Sequence, residues 1–175
     1  MKEEIKEGKN EEKLDWNKVE GVLGGRIPNS YKEFYEKLGS VGIDSGYIYI
    51  VNVETDGEDM GLSERCRETI EAYTMLKDFL DCEEQKLDIG FGNEDWFPVG
   101  TTTNGDYIFI NDEYGVLITD GSFIEREEYE CSLLEFVNKY LNNDLKYEVL
   151  SEVASKGEHE LVVINTKRHE VSGEV

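Results

Sequence analysis

The sequence has 175 residues, with 18 Lys and Arg against 40 Asp and Glu and a net charge of −22 at neutral pH. That length fits one domain able to bury a core without staples. Three cysteines (Cys66, Cys82, Cys131) with no C-x-x-C pair argue against a disulfide framework or a zinc knuckle.

The acidity is uneven. Residues 41–130 hold 5 basic and 23 acidic side chains, a net of −18, whereas residues 1–40 net −1 and residues 131–175 net −3. A field of that sign repels phosphate backbones and anionic membranes and attracts basic proteins and cations. Acidity also serves solubility alone.

Residues 1–13 are almost all charged or polar and read as a disordered lead-in. They contain no apolar stretch of the kind a signal peptide needs, and no apolar run approaches 18 residues. The expectation is a cytoplasmic protein that contacts no membrane.

Asp15 is a candidate N-cap for a first helix with Trp16, Val19 and Leu23 on one face, stopped by Gly24-Gly25. Pro28 opens a second helix with Tyr31, Phe34, Tyr35 and Leu38 at i, i+3, i+4 and i+7, and Gly39 ends it. Residues 46–53 are aromatic and β-branched and predict a buried strand. An acidic loop follows, then a helix from Ser63 to about Leu80, then an acidic irregular stretch to Asp95.

From Trp96 the pattern becomes a meander. Strands are predicted at 96–99, 106–111, 116–119 and 123–129, separated by Gly-containing turns that favour antiparallel pairing. Ser132 and Glu135 form a capping box for a last helix whose apolar stripe is Leu133, Phe136, Val137, Tyr140 and Leu141. Residues 143–175 are weakly patterned, with Leu161–Ile164 as a possible added strand. The predicted core comprises Trp16, Tyr31, Phe34, Leu38, Phe109, Leu133, Phe136 and Val137.

Both histidines, His159 and His169, fall in that weak tail. Ser–His and Cys–His chemistry needs a rigidly held imidazole, and zinc needs convergent His and Cys ligands, so neither is predicted. The stretch D-G-E-D-M-G lacks the spacing of a calcium loop. Gly-rich phosphate loops are absent, and the aromatic residues lack the interleaved Lys and Arg of a nucleic-acid surface. The sequence therefore predicts no catalytic residue, no metal, no cofactor and no nucleic-acid partner.

Carboxylates remain as the candidate chemistry. Asp56, Glu58, Asp59, Glu94, Asp95, Asp112 and Glu113 fall in three predicted loops, where exposed function concentrates. They are candidate contacts for a basic protein. Tyr47, Tyr49, Trp96, Tyr107 and Tyr114 are nearby candidates for apolar anchors or for core. A carboxylate-based or metal-dependent hydrolase within residues 54–113 is the alternative from another class, and a regulatory scaffold is a third.

Several of these segments resemble a known superfamily. Trp16 in the first helix, Ile27-Pro28-x-x-Tyr31-Lys32-x-Phe34 and then Gly39 resemble the opening of the SUKH superfamily. Phe97-Pro98-Val99-Gly100 with Gly105-Asp106-x-Ile108-x-Ile110-x-Asp112 is similar to its central strand pair. Ser132-Leu133-Leu134-Glu135-Phe136-Val137 is similar to its last helix. The resemblance implies one α+β domain over residues 14–142. It would have a mainly antiparallel sheet of about four to six strands with helices packed on one side, followed by an extension over 143–175. The superfamily contains bacterial immunity proteins, which bind secreted toxins, many of them nucleases, and a fungal regulator of cell-wall assembly. It implies a cognate toxin as partner and no active site.

Overall fold

A computed structural model describes residues 14–50, 53, 61–80, 86–145, 149–150 and 159–164. Helix α1 spans Trp16–Leu23, and the Asp15 carboxylate accepts from the Lys18 backbone N–H as its N-cap. Gly24 takes a left-handed φ of 79° and stops it. Helix α2 spans Asn29–Leu38, one residue later than Pro28 suggested, with Pro28 in the cap position. Its Tyr31, Phe34, Tyr35 and Leu38 are all buried, as the spacing requires.

Strand β1 (Ser40–Ile43) follows at once, and a tight turn returns the chain into β2 (Ile48–Ile50). β1 is absent from the expectation, which placed one strand at 46–53. Its four residues include Gly42, and its turn uses Asp44, Ser45 and Gly46 at positive φ without an Asn-Gly signal. Helix α3 spans Leu62–Leu76 and tightens into a 3₁₀ turn over Lys77–Phe79.

Four strands then meander: β3 (Phe97–Thr102), β4 (Tyr107–Asn111), β5 (Gly115–Thr119) and β6 (Arg126–Tyr129). Helix α4 spans Leu133–Leu141, and the Ser132 hydroxyl accepts from the Glu135 N–H at 3.2 Å. Strand β7 (Leu161–Ile164) closes the described chain.

The named strands all pair antiparallel, in the order β6-β5-β4-β3-β2-β1-β7, and a lone parallel bridge joins Ile89 to Trp96. The fold is α+β, and the seven strands among the described residues exceed the four to six expected because β1 joins those the sequence signalled. β3 bulges between Pro98 and Gly100. A Cβ on Gly100 would stand 2.7 Å from the Tyr49 carbonyl oxygen, so the bulge admits only glycine without displacement.

Apolar residues fill β4 and β5 at nearly every position, so both faces need cover. Ile108, Ile110, Val116 and Ile118 pack with α2 and α4 in the larger core. Phe109 and Leu117 alternate to the other face, where Tyr73 of α3, Leu87, Trp96 and Phe123 cover them. α3 serves both cores, giving Leu62 and Cys66 to the larger one and Tyr73 to the smaller. Of the predicted core residues, seven are buried, and Trp16 is partly buried with its ring against Tyr31 and Tyr35. Among the described residues no helix is long and apolar enough to cross a membrane.

Candidate functional site

At the end of the sheet where β4 turns into β5, three segments enclose a polar cleft of about 300 Å³. They are the lead into α2 (Arg26, Pro28, Asn29), the loop at 92–95 and the turn at 111–113. Each is fixed by hydrogen bonds, most of them between segments distant in sequence.

Asn111, at the end of β4, is buried. Its Nδ2 donates to the carbonyls of Asp95 at 3.0 Å and Asn93 at 3.4 Å, and its Oδ1 accepts from the backbone N–H groups of Glu113 and Tyr114. One amide side chain therefore folds the β4–β5 turn and holds the 92–95 loop against it. The carboxylate of Asp112 accepts from the backbone N–H groups of Asn29 and Ser30, two of the orphan donors that open α2. The Ser30 hydroxyl in turn accepts from the Leu133 N–H, tying the starts of α2 and α4 together.

Asp95 folds its own loop. Its Oδ2 accepts from the Gly92 N–H at 2.7 Å, and a Cβ at Gly90 or Gly92 would fall within 2.8 Å of that oxygen. Arg26 crosses the cleft mouth: its Nη1 donates to Asn93 Oδ1 at 2.8 Å and its Nη2 lies 3.9 Å from Asp112 Oδ2.

Three candidate carboxylates, Asp95, Asp112 and Glu113, thus line one cleft, and Glu94 is exposed beside Asp95 in the same loop. Asp56, Glu58 and Asp59 lie outside the described residues. The four described carboxylates are not equivalent. Asp112 faces Arg26 and caps α2, whereas Glu94, Asp95 and Glu113 make no ion pair among the described residues. Tyr114 follows Glu113, is 45% exposed, and leans on the buried Trp96 with ring centroids 6.0 Å apart. Of the five candidate aromatic anchors it is the most exposed: Trp96 is buried, and Tyr47, Tyr49 and Tyr107 are half-buried.

The pattern of loops pointed to the carboxylates but missed Arg26, Asn29, Asn93 and Asn111. Asn111 carried one signal: an Asn directly before a Gly-containing turn can bond the backbone two residues on. The other three are brought in by tertiary contact alone.

The lining offers carboxylate, amide and guanidinium groups and contains no His, Cys or Lys. Among the described residues, no group of three or more His, Cys, Asp and Glu is placed to hold a metal ion. The chemistry on display is recognition by charge and hydrogen bonding.

No curated protein matches the chain. A family profile does, over residues 12–149, which takes in all four helices and strands β1 to β6. That family includes toxin-immunity proteins, and its members are generally immunity or regulatory proteins rather than enzymes. By this match across most of its length, the chain belongs to the SMI1 / KNR4 family (SUKH-1).

Proposed function

We propose that this protein is a cytoplasmic immunity protein that binds and neutralises a cognate toxin carrying a basic, nuclease-type domain. The observation that carries the reading is the cluster of Glu94, Asp95 and Glu113, without ion-pair partners among the described residues, beside the exposed ring of Tyr114. A nuclease presents cationic side chains to hold nucleic acid. Carboxylates set around a cleft can pair with those side chains and exclude the substrate, and an exposed aromatic gives such an interface an apolar anchor. Asp56, Glu58 and Asp59 add to the same negative field from the acidic middle of the chain. Residues 14–142 act as the binding domain, and the 143–175 extension adds β7 to its sheet. Metal or acid–base hydrolysis has less support, because Asp112 is occupied at the start of α2 and the cleft contains no imidazole.

The test is co-expression with the product of the adjacent gene. Stoichiometric co-purification, together with loss of that product's nuclease activity on addition of this protein, is the expected result. Undiminished activity in a mixture at equal concentrations would overturn the reading.

A further inference from the structure

Helix α3 changes character along its length. Leu62, Cys66, Thr69 and Tyr73 form its buried face. Its outer face starts as a solvated helix does, with Arg67, Glu68 and Glu71 exposed. One turn on, that face becomes apolar. Met75 is 69% exposed and Phe79, four residues later, is 80% exposed, with Leu76 exposed between them. Leu80 meanwhile packs on the smaller core that holds Tyr73. The end of α3 with its 3₁₀ turn is thus apolar on its inner and outer sides, the pattern of a helix covered on both.

The β5–β6 turn adjoins this ridge. The fully buried Phe123 ring meets Tyr73 edge-on, with centroids 5.2 Å apart, whereas its neighbour Ile124 is 56% exposed. The turn is held in shape by the Asp120 carboxylate, which accepts from the backbone N–H groups of Ser122, Ile124 and Glu125. Negative charge rims the surface. Residues 71–84 hold 5 acidic side chains and 1 basic. Of these, Asp81, Glu83 and Glu84 lie outside the described residues, but the chain tethers them within about 14 Å of Leu80. Residues 120–125 add Asp120 and Glu125 and no base.

We propose that Met75, Leu76 and Phe79, with Ile124 in the adjoining turn, form a second docking surface, for an apolar patch rimmed by Lys and Arg on a basic protein. The apolar centre supplies area to bury, and the acidic rim selects the sign of the partner's charge. An anionic membrane meets the same rim and is repelled. A second copy of this chain sets two acidic rims against each other. The inference rests on the reading of this protein as the binder of a basic partner. It gives that partner an apolar contact away from the polar cleft, which lies where β4 turns into β5, whereas Ile124 lies past the other end of β5.

The experiment measures association and dissociation rates of the full chain with the adjacent gene's product, for wild type and for a Met75→Ser/Phe79→Ser variant. An apolar anchor acts on residence time, so the variant should dissociate at least about thirtyfold faster, with its association rate and salt dependence unchanged. Its urea midpoint should equal that of the wild type, because both side chains are exposed. Wild-type dissociation in the variant would overturn this proposal and leave the proposed function standing. A wild type that does not bind at all would overturn both. A lowered urea midpoint would mean that the chain itself covers the ridge. A free wild type that sediments as a dimer, with the variant a monomer, would mean that a second copy does. Either result refutes the docking surface.

Discussion

The Asp112 carboxylate accepts a 2.9 Å hydrogen bond from the backbone N–H of Asn29, 83 residues earlier in the chain. The β4–β5 turn thereby caps α2, whose own cap position is held by Pro28 with no side-chain bond. Asp112→Ala should cost about 0.5–2 kcal/mol, the range for losing an N-cap acceptor. Asp112→Asn, which keeps an oxygen, should cost less. Urea midpoints of the two variants check this ordering; equal loss in both would show that charge rather than the cap geometry matters.

Phe136 is fully buried between α4 and the sheet, with its ring 5.2 Å from that of Tyr129. Phe136→Ala should destabilise by about 3–5 kcal/mol through lost transfer energy and a residual cavity. Denaturant unfolding measures it. An unchanged midpoint would remove Phe136 from the core.

Glu20 predicts a pH dependence. The Lys32 ammonium at 2.7 Å, then the Ile27 N–H at 2.9 Å, hold its carboxyl below the ordinary range. A depressed folded pKa contributes stability above the unfolded value and loses it as pH falls through the folded one. The stability gap between wild type and Glu20→Gln should therefore be full at neutral pH and close progressively below about pH 4. A gap that widens towards acid would reverse the assignment.

Burial raises the pKa of the Cys66 thiol strongly, and burial likewise raises that of Cys131. The thiolate is the reactive form, so both should resist thiol reagents in the native protein near pH 8 and react on unfolding. Mass mapping of labelled peptides reads the two sites separately. Fast native labelling at Cys66 would contradict its packing against the Pro98 carbonyl.

The elements with strong local signals were legible from sequence. α2 and α4 follow from apolar residues at helical spacing, and the capping box at Ser132 marks where α4 begins. The meander follows from its glycine turns. β1 was not legible, since four residues with a central glycine carry too little pattern and pair only because β2 and β7 flank them. The acidic ends of the loops were legible as charge, but not the division between a committed Asp112 and an uncommitted Glu113, which depends on where α2 begins in space. His159 was set aside as a tail residue, because its contacts with Asp44 and Asn143 span 115 and 16 residues.

The central claim is that the carboxylate surface captures a basic partner. Glu94 and Glu113 are its cleanest probes, being exposed and free of ion pairs among the described residues, so their reversal should spare folding. The decisive measurement is the association rate with the adjacent gene's product, by stopped flow, from about 50 to about 500 mM salt. It compares the wild type with a Glu94→Lys/Glu113→Lys variant and with a variant reversed at Asp56, Glu58 and Asp59. The account predicts a wild-type rate that falls steeply with salt, and slower, less salt-sensitive association in both variants. A rate indifferent to salt and to both sets of reversals would contradict it.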